Sequence, residues 1–219
     1  MGVLTLFVIA LEIIASIYAS KRKNLVKTLL FCASTFILTY EIASFFTTHK
    51  MPIAFSHFSY FLFAIAVFLP SRRIKSIASF CAFVSGAVYL AGWIVYPDVI
   101  YANQPFESVR MVGFLLHNMM LFGALLLYTQ IKLEKLDVLY VLAFVAFIVV
   151  YTEVAVHICA SDQANFLTVG VIEATLIHQI APSFALKWWW YILWYALVAV
   201  AFWGMWELTS FINRLLLRQ

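Results

Sequence analysis

Four acidic residues and two histidines fall inside long apolar runs of this sequence. They are Glu12, Glu41, His57, His117, Glu153 and Glu207. A charged group at bilayer depth costs about 2.5–3.5 kcal/mol on insertion scales, so residues of this kind are usually paired or functional. We expect Glu12 and Glu207 to be structural, either hydrogen-bonded or neutralised by protonation, and the other four residues to carry any chemistry.

These four groups lie at similar depths, near the ends of their runs that face the same side of the membrane. His157 adds a fifth group, because it follows Glu153 by four residues and therefore shares its helix face. Agreement in depth across four runs predicts one polar pocket between the second, third, fifth and sixth helices. The predicted pocket comprises Glu41, His57, Tyr60, His117, Asn118, Glu153 and His157, with Ser56 and Ser59 on either side of His57.

The first chemistry that such a pocket suits is acyl transfer or hydrolysis. A hydroxyl nucleophile needs a base within hydrogen-bond reach and a carboxylate that orients the base. Ser56 or Ser59 supplies the hydroxyl, and His117 or His57 supplies the base. We therefore predict that these four residues are catalytic.

The same groups suit other roles. Three imidazoles and a carboxylate, from His57, His117, His157 and Glu153, form a ligand set that suits zinc. Beyond the Glu153/His157 pair no compact ligand motif accompanies them, so we predict neither a metal nor a cofactor. Protonatable groups can also relay charge in a transporter. A structural role, in which the groups pair across helices to fix their packing, explains the same residues.

The elements that position these groups follow from composition. Of 219 residues, 65% are hydrophobic and only 11% are charged, and the mean hydropathy is +0.99. Soluble domains have about 25% charged residues, so this composition excludes a soluble or nucleic-acid-binding domain and makes membrane lipids the surroundings. The sequence predicts a single all-α domain of seven transmembrane helices. Their predicted ranges are 3–19, 25–46, 52–70, 77–96, 109–130, 138–157 and 188–211, with an outer loop over 158–187.

The basic residues predict the orientation of these helices. Most of the fourteen lysines and arginines follow helices one, three, five and seven, and so lie on one side of the membrane. Because cytoplasmic loops are enriched in such residues, we expect the amino terminus outside and the carboxyl terminus in the cytoplasm. The predicted location is the inner (plasma) membrane, crossed several times.

Helix four carries small residues at four-residue spacing, namely Ala78, Ala82 and Gly86. A face of this kind lets a second helix approach closely. It predicts a central position for helix four, and it would equally serve a homo-oligomer or a partner subunit.

Two short segments resemble a known family. The segment AFSHFSY at 54–60 and the segment FLLHN at 114–118, with a Tyr-Pro-Asp stop at 96–98 between them, are similar to the YwaF-like bacterial integral membrane proteins. The resemblance covers roughly 52–130. That family is similar to a eukaryotic transmembrane acyltransferase that acts on ether phospholipids, and more distantly to membrane hydrolases of fatty-acid esters.

The resemblance implies acyl transfer or hydrolysis on lipids, with His117 as the base and a nucleophile beside His57. The acyltransferase pattern has a cysteine at that place, whereas this chain has Ser56 and Ser59. Our favoured hypothesis is a lipid-modifying enzyme at the outer leaflet. The alternative is a non-catalytic transporter, sensor or complex subunit that holds a lipid or small solute in the pocket.

Overall fold

The computed structural model describes residues 2–48, 54–95, 97, 107–158 and 188–217, and this part of the chain contains seven helices and no strand. The helices are α1 (Gly2–Ser20), α2 (Lys23–Thr48), α3 (Phe55–Phe68), α4 (Arg72–Val95), α5 (Glu107–Tyr128), α6 (Asp137–Ile158) and α7 (Trp188–Leu217). The all-α prediction is thereby confirmed for these residues.

Six of the seven helices are long and apolar enough to cross a membrane. The exception is α3, whose 14 residues span about 21 Å at the usual helical rise, against about 30 Å for the hydrocarbon core. Large apolar side chains are exposed along α1, α2, α6 and α7. Lipid is the surrounding that satisfies such surfaces. The fold is that of a multi-pass helical membrane protein.

Several helix ends differ from the predicted ranges. Helix α3 begins at Phe55 rather than 52, and it ends just before Leu69, whose extended backbone is what a following proline favours. Helix α4 begins at Arg72, because the Ser71 hydroxyl accepts a hydrogen bond from the Ile74 amide and so caps the first turn. Helix α7 extends six residues past its predicted end, to Leu217. Residues 159–187 of the predicted outer loop lie outside the described residues.

The centre of the bundle is the contact between α4 and α5, the two most buried helices. Ala78 and Ala82 are fully buried, and a Cβ atom at Gly86 would lie only 2.7 Å from the carbonyl oxygen of His117. The small-residue face of α4 is therefore occupied within the chain. Helices α1, α2 and α7 pack against α5, whereas α3 and α6 pack against α4.

One end of the bundle carries Arg72, Lys132 and Arg214, and we call it the basic end. A buried carboxylate holds this end together. Asp137 accepts two hydrogen bonds from Arg72, at 2.7 and 3.1 Å, and one from the Ser76 hydroxyl at 2.9 Å. On α7, Asn213 donates to the carbonyl oxygens of Tyr128 and Ile131, both at 2.8 Å. These contacts join the start of α4, the α5–α6 connection and the end of α7.

The substitution Gly86→Ala tests the close approach of α4 to α5. The Cβ of Gly86→Ala would also lie 2.8 Å from the Leu121 backbone nitrogen, so the helices must separate. We expect the substitution to lower the free energy of unfolding by about 1–3 kcal/mol. The measurement is thermal unfolding of the purified protein in detergent.

The matched control is Gly204→Ala on α7, where an added Cβ meets no atom within 4 Å. Because alanine favours helix over glycine, this variant should be as stable as the wild type or more stable. Equal destabilisation by the two substitutions would contradict the α4–α5 packing.

Asp137 and Glu134 both contact Arg72, but only Asp137 is buried, with 2% of its side chain exposed against 56% for Glu134. We expect Asp137→Asn to cost about 2 kcal/mol, because it weakens several charge-assisted hydrogen bonds inside the bundle. Glu134→Gln should cost about 0.5 kcal/mol or less, since solvent screens an exposed pair. Urea unfolding, followed by tryptophan fluorescence, compares the two variants. A larger loss of unfolding free energy for Glu134→Gln than for Asp137→Asn would refute the ranking.

Candidate functional site

The first part of the site is a hydrogen-bonded pair of side chains between α2 and α3. His57 Nδ1 lies 2.8 Å from Glu41 Oε2, and the carboxylate is almost fully buried, with 3% exposed, whereas 37% of the imidazole is exposed. A carboxylate only accepts, so the proton of this bond belongs to Nδ1. When the imidazole is neutral, its lone pair is therefore on Nε2. This pairing orients the ring as a carboxylate orients a catalytic histidine.

The Glu41 carboxylate is only half satisfied. Its second oxygen, Oε1, is buried and has no hydrogen-bond partner among the described residues. Buried acceptors are nearly always paired, and leaving one unpaired costs about 1–3 kcal/mol. The pair thus retains one unused acceptor next to the exposed imidazole.

The second part of the site joins α3 to α5. The Tyr60 hydroxyl lies 3.0 Å from His117 Nδ1 and 3.1 Å from Nε2, while the Gly113 carbonyl oxygen lies 2.7 Å from Nδ1. Because a carbonyl only accepts, Nδ1 carries the proton and Nε2 accepts from Tyr60. Both side chains are buried. The lone pair of His117 is thus already engaged.

The two parts meet at Tyr60. Its ring is edge-on to His57, with 6.0 Å between the ring centres, and edge-on to His117 at 5.5 Å. The two histidines therefore contact the same tyrosine ring, which lies between them. The site is a polar cluster in which Glu41, Tyr60 and His117 are buried and His57 is partly exposed.

Tyr89 on α4 is a member of the cluster that sequence reasoning missed. Its ring stacks on His117 with 3.7 Å between centres and an angle of 8° between planes. The available signal was its position one turn after Gly86, on the face that contacts α5. The contact encloses the imidazole from the α4 side.

The two predicted nucleophiles differ in their surroundings. Ser59 is fully buried, and its hydroxyl donates to the Phe55 carbonyl oxygen of its own helix at 2.8 Å. Ser56 is half-buried and makes no hydrogen bond to any described residue. Neither serine is hydrogen-bonded to His57 or His117 within the described part of the chain. Ser56 is the one whose hydroxyl is not committed to the helix.

The structure places the remaining predicted residues elsewhere. Asn118 lines a groove between α1 and α5, since successive helical residues point about 100° apart and His117 already faces α3 and α4. Glu153 accepts a hydrogen bond of 2.7 Å from the Tyr195 hydroxyl on α7. The side chain of His157 lies outside the described residues. The expectation that α6 shares the cluster through Glu153 is thus replaced by an α6–α7 contact.

Metal binding is the second chemistry that the residue types of the site suit. Among the side chains that the structure describes, no three His, Cys, Asp or Glu residues are close enough together to hold a metal ion. Within that part of the chain, His57 pairs with a single carboxylate and His117 with Tyr60 and a backbone carbonyl. These contacts are hydrogen bonds between protein groups.

The fold and the site define a class: a multi-pass helical membrane protein with a buried, protonatable cluster between α2, α3, α4 and α5. No family model, curated protein or solved structure matches this chain. The similarity to the YwaF-like proteins therefore stays a prediction from the two short segments.

The Tyr60–His117 contact predicts a specific loss of stability. Tyr60→Phe removes the hydroxyl that donates to the buried imidazole, so we expect a loss of about 1–2 kcal/mol in the free energy of unfolding. Thermal unfolding in detergent measures it. Tyr140→Phe on α6, where the ring is exposed, is the control and should change little. The same loss from both variants would argue against the contact.

Proposed function

We propose that this chain is a lipid-modifying enzyme that cleaves or transfers a fatty-acyl ester, with Glu41 and His57 as its base. The single observation that supports this proposal is the 2.8 Å bond between a buried carboxylate and a partly exposed imidazole. Such a pair holds the imidazole in one tautomer and stabilises the imidazolium that forms when it takes a proton.

The role of base passes from His117 to His57 in this proposal. His117 Nε2 already accepts from Tyr60, and the ring is enclosed by Tyr89. A base must have a lone pair that can reach the proton it removes. His117 and Tyr60 instead position α3 against α5, so that His57 stays at the carboxylate of α2.

The depth of His57 in the membrane supports an ester substrate. His57 is the third residue of α3, roughly 3 Å along the axis from the helix start. The proposed topology has the amino terminus outside and seven crossings, which puts this end of α3 near the outer surface. Arg72, Lys132 and Arg214, gathered at the basic end, support that orientation. Phospholipid esters lie at the boundary between headgroups and hydrocarbon, at a similar level.

The nucleophile in this proposal is the Ser56 hydroxyl. As its oxygen attacks the ester carbonyl, His57 Nε2 takes the hydroxyl proton and a tetrahedral intermediate forms. Cleavage of the ester bond releases the lysolipid alkoxide, which takes that proton from His57, and leaves an acyl group on Ser56. Water, or the hydroxyl of an acceptor lipid, then attacks the acyl group by the same steps in reverse.

A second candidate is a protein that binds a polar solute without reaction. The unpaired buried Oε1 of Glu41 favours it, because a ligand that donates a hydrogen bond would satisfy this atom. In that case His57 and Glu41 would recognise a ligand, and no acyl product would form.

The test is release of labelled fatty acid from phospholipid vesicles by the purified, reconstituted protein. His57→Ala and Glu41→Gln should each lower the rate by about 10²–10⁴-fold, the usual contribution of a positioned base. Ser56→Ala should abolish an acyl adduct that mass spectrometry detects on the wild type, while Ser59→Ala should keep it.

The control is Glu207→Gln, an exposed acidic residue on α7 that should leave the rate unchanged. All variants are compared at equal amounts of monodisperse protein, so that a folding defect is not scored as lost catalysis. A wild-type protein that releases no acyl chain from a total lipid extract would refute the enzyme. Turnover unaffected by His57→Ala would refute the assignment of the base.

A further inference from the structure

A groove between α1 and α5 has a volume of about 590 Å³, within the usual range for small-molecule sites. Its walls are apolar except for Glu12 and Asn118. The apolar lining comes from both helices and includes Leu11 on α1 and Met111 and Leu115 on α5. Among the residues that the structure describes, no lysine, arginine or histidine contributes to this lining. The groove is separate from the Glu41–His57 pair on α2 and α3.

Two hydrogen-bond acceptors in this groove are unmatched. Glu12 Oε2 and Asn118 Oδ1 are both buried and have no partner among the described residues. Asn118 is only 6% exposed, and its amide nitrogen already donates to the Phe114 carbonyl oxygen at 2.7 Å. Asn118 Oδ1 is an amide oxygen and can only accept, and Glu12 Oε2 accepts when the carboxyl group is ionised. A group that satisfies both atoms with Glu12 ionised must therefore donate at least two hydrogen bonds.

The groove opens toward the surface that lipid covers. Met111 on α5 is 64% exposed, and Leu11 and Leu115 are exposed on either side of the groove. A ligand can therefore enter sideways from the bilayer. Since the walls are apolar, the ligand must carry a hydrocarbon body as well as its donor group.

We propose that this groove binds a lipophilic primary amine. The ammonium group donates hydrogen bonds to Glu12 and Asn118, and the hydrocarbon chain lies along the walls formed by α1 and α5. A cationic donor is favoured over a neutral one because it stabilises the ionised form of Glu12, and no basic residue does so among the described residues that line the groove. An ammonium carries three donors, enough for both acceptors.

The probe is radiolabelled dodecylamine, with dodecanol as the neutral compound of the same chain length. Binding is measured by equilibrium dialysis against full-length protein in phosphatidylcholine nanodiscs, after subtraction of empty nanodiscs. We expect dodecylamine to bind about tenfold or more tightly than dodecanol, and Glu12→Gln to remove that preference. Asn118→Ala should weaken amine binding by a smaller factor.

Met111→Trp tests the groove without altering either polar residue. The larger side chain sits on an exposed position and narrows the entrance, so binding of both probes should fall. Glu207→Gln, outside the groove, should bind dodecylamine as the wild type does. Equal affinity for the two probes, or amine binding unaffected by both Glu12→Gln and Met111→Trp, would overturn the proposal. So would a protein dimer that Glu12→Gln dissociates, since the groove would then hold a second copy of the chain.

Discussion

The close approach of α4 and α5 at Gly86 is the constraint on which the rest of the bundle depends. With no side chain at Gly86, the backbone of α5 comes into van der Waals contact at the carbonyl of His117. The same contact stacks Tyr89 of α4 on the His117 ring. The position of His117 in turn sets where Tyr60 of α3 must lie to reach it. The site is therefore assembled outward from the most buried helix pair.

Several polar groups inside this apolar bundle are paired between different helices. Glu41 pairs with His57, Tyr60 with His117, Tyr195 with Glu153 and Arg72 with Asp137. In a low-dielectric interior each pair has one geometry in which both partners are satisfied. Apolar side chains alone pack in many similar registers, since lipid competes equally for them. The pairs therefore select the register, and any chemistry uses contacts that also specify the fold.

Helix ends that depend on local sequence could be predicted, whereas ends that depend on contacts between distant residues could not. Pro70 correctly marked the end of α3, because a proline disfavours helix in the residue before it. The start of α4 was predicted five residues too late, because charged residues such as Arg72 and Arg73 are typical of loops. Only the fold shows that Arg72 is paired with Asp137. Hydropathy also made α3 longer than it is. A 14-residue helix is held by packing on α2 and α4, contacts that hydropathy does not record.

The sequence by itself determined that this is a helical membrane chain, because helix length follows from hydropathy, and the spacing predicted a common depth for His57 and His117. Only the tertiary structure decided the partners. Rotation of each helix about its axis is a packing outcome, and it turned Glu41 to His57 and Glu153 to Tyr195. The same rotation took Asn118 away from its neighbour His117 and into the groove against α1.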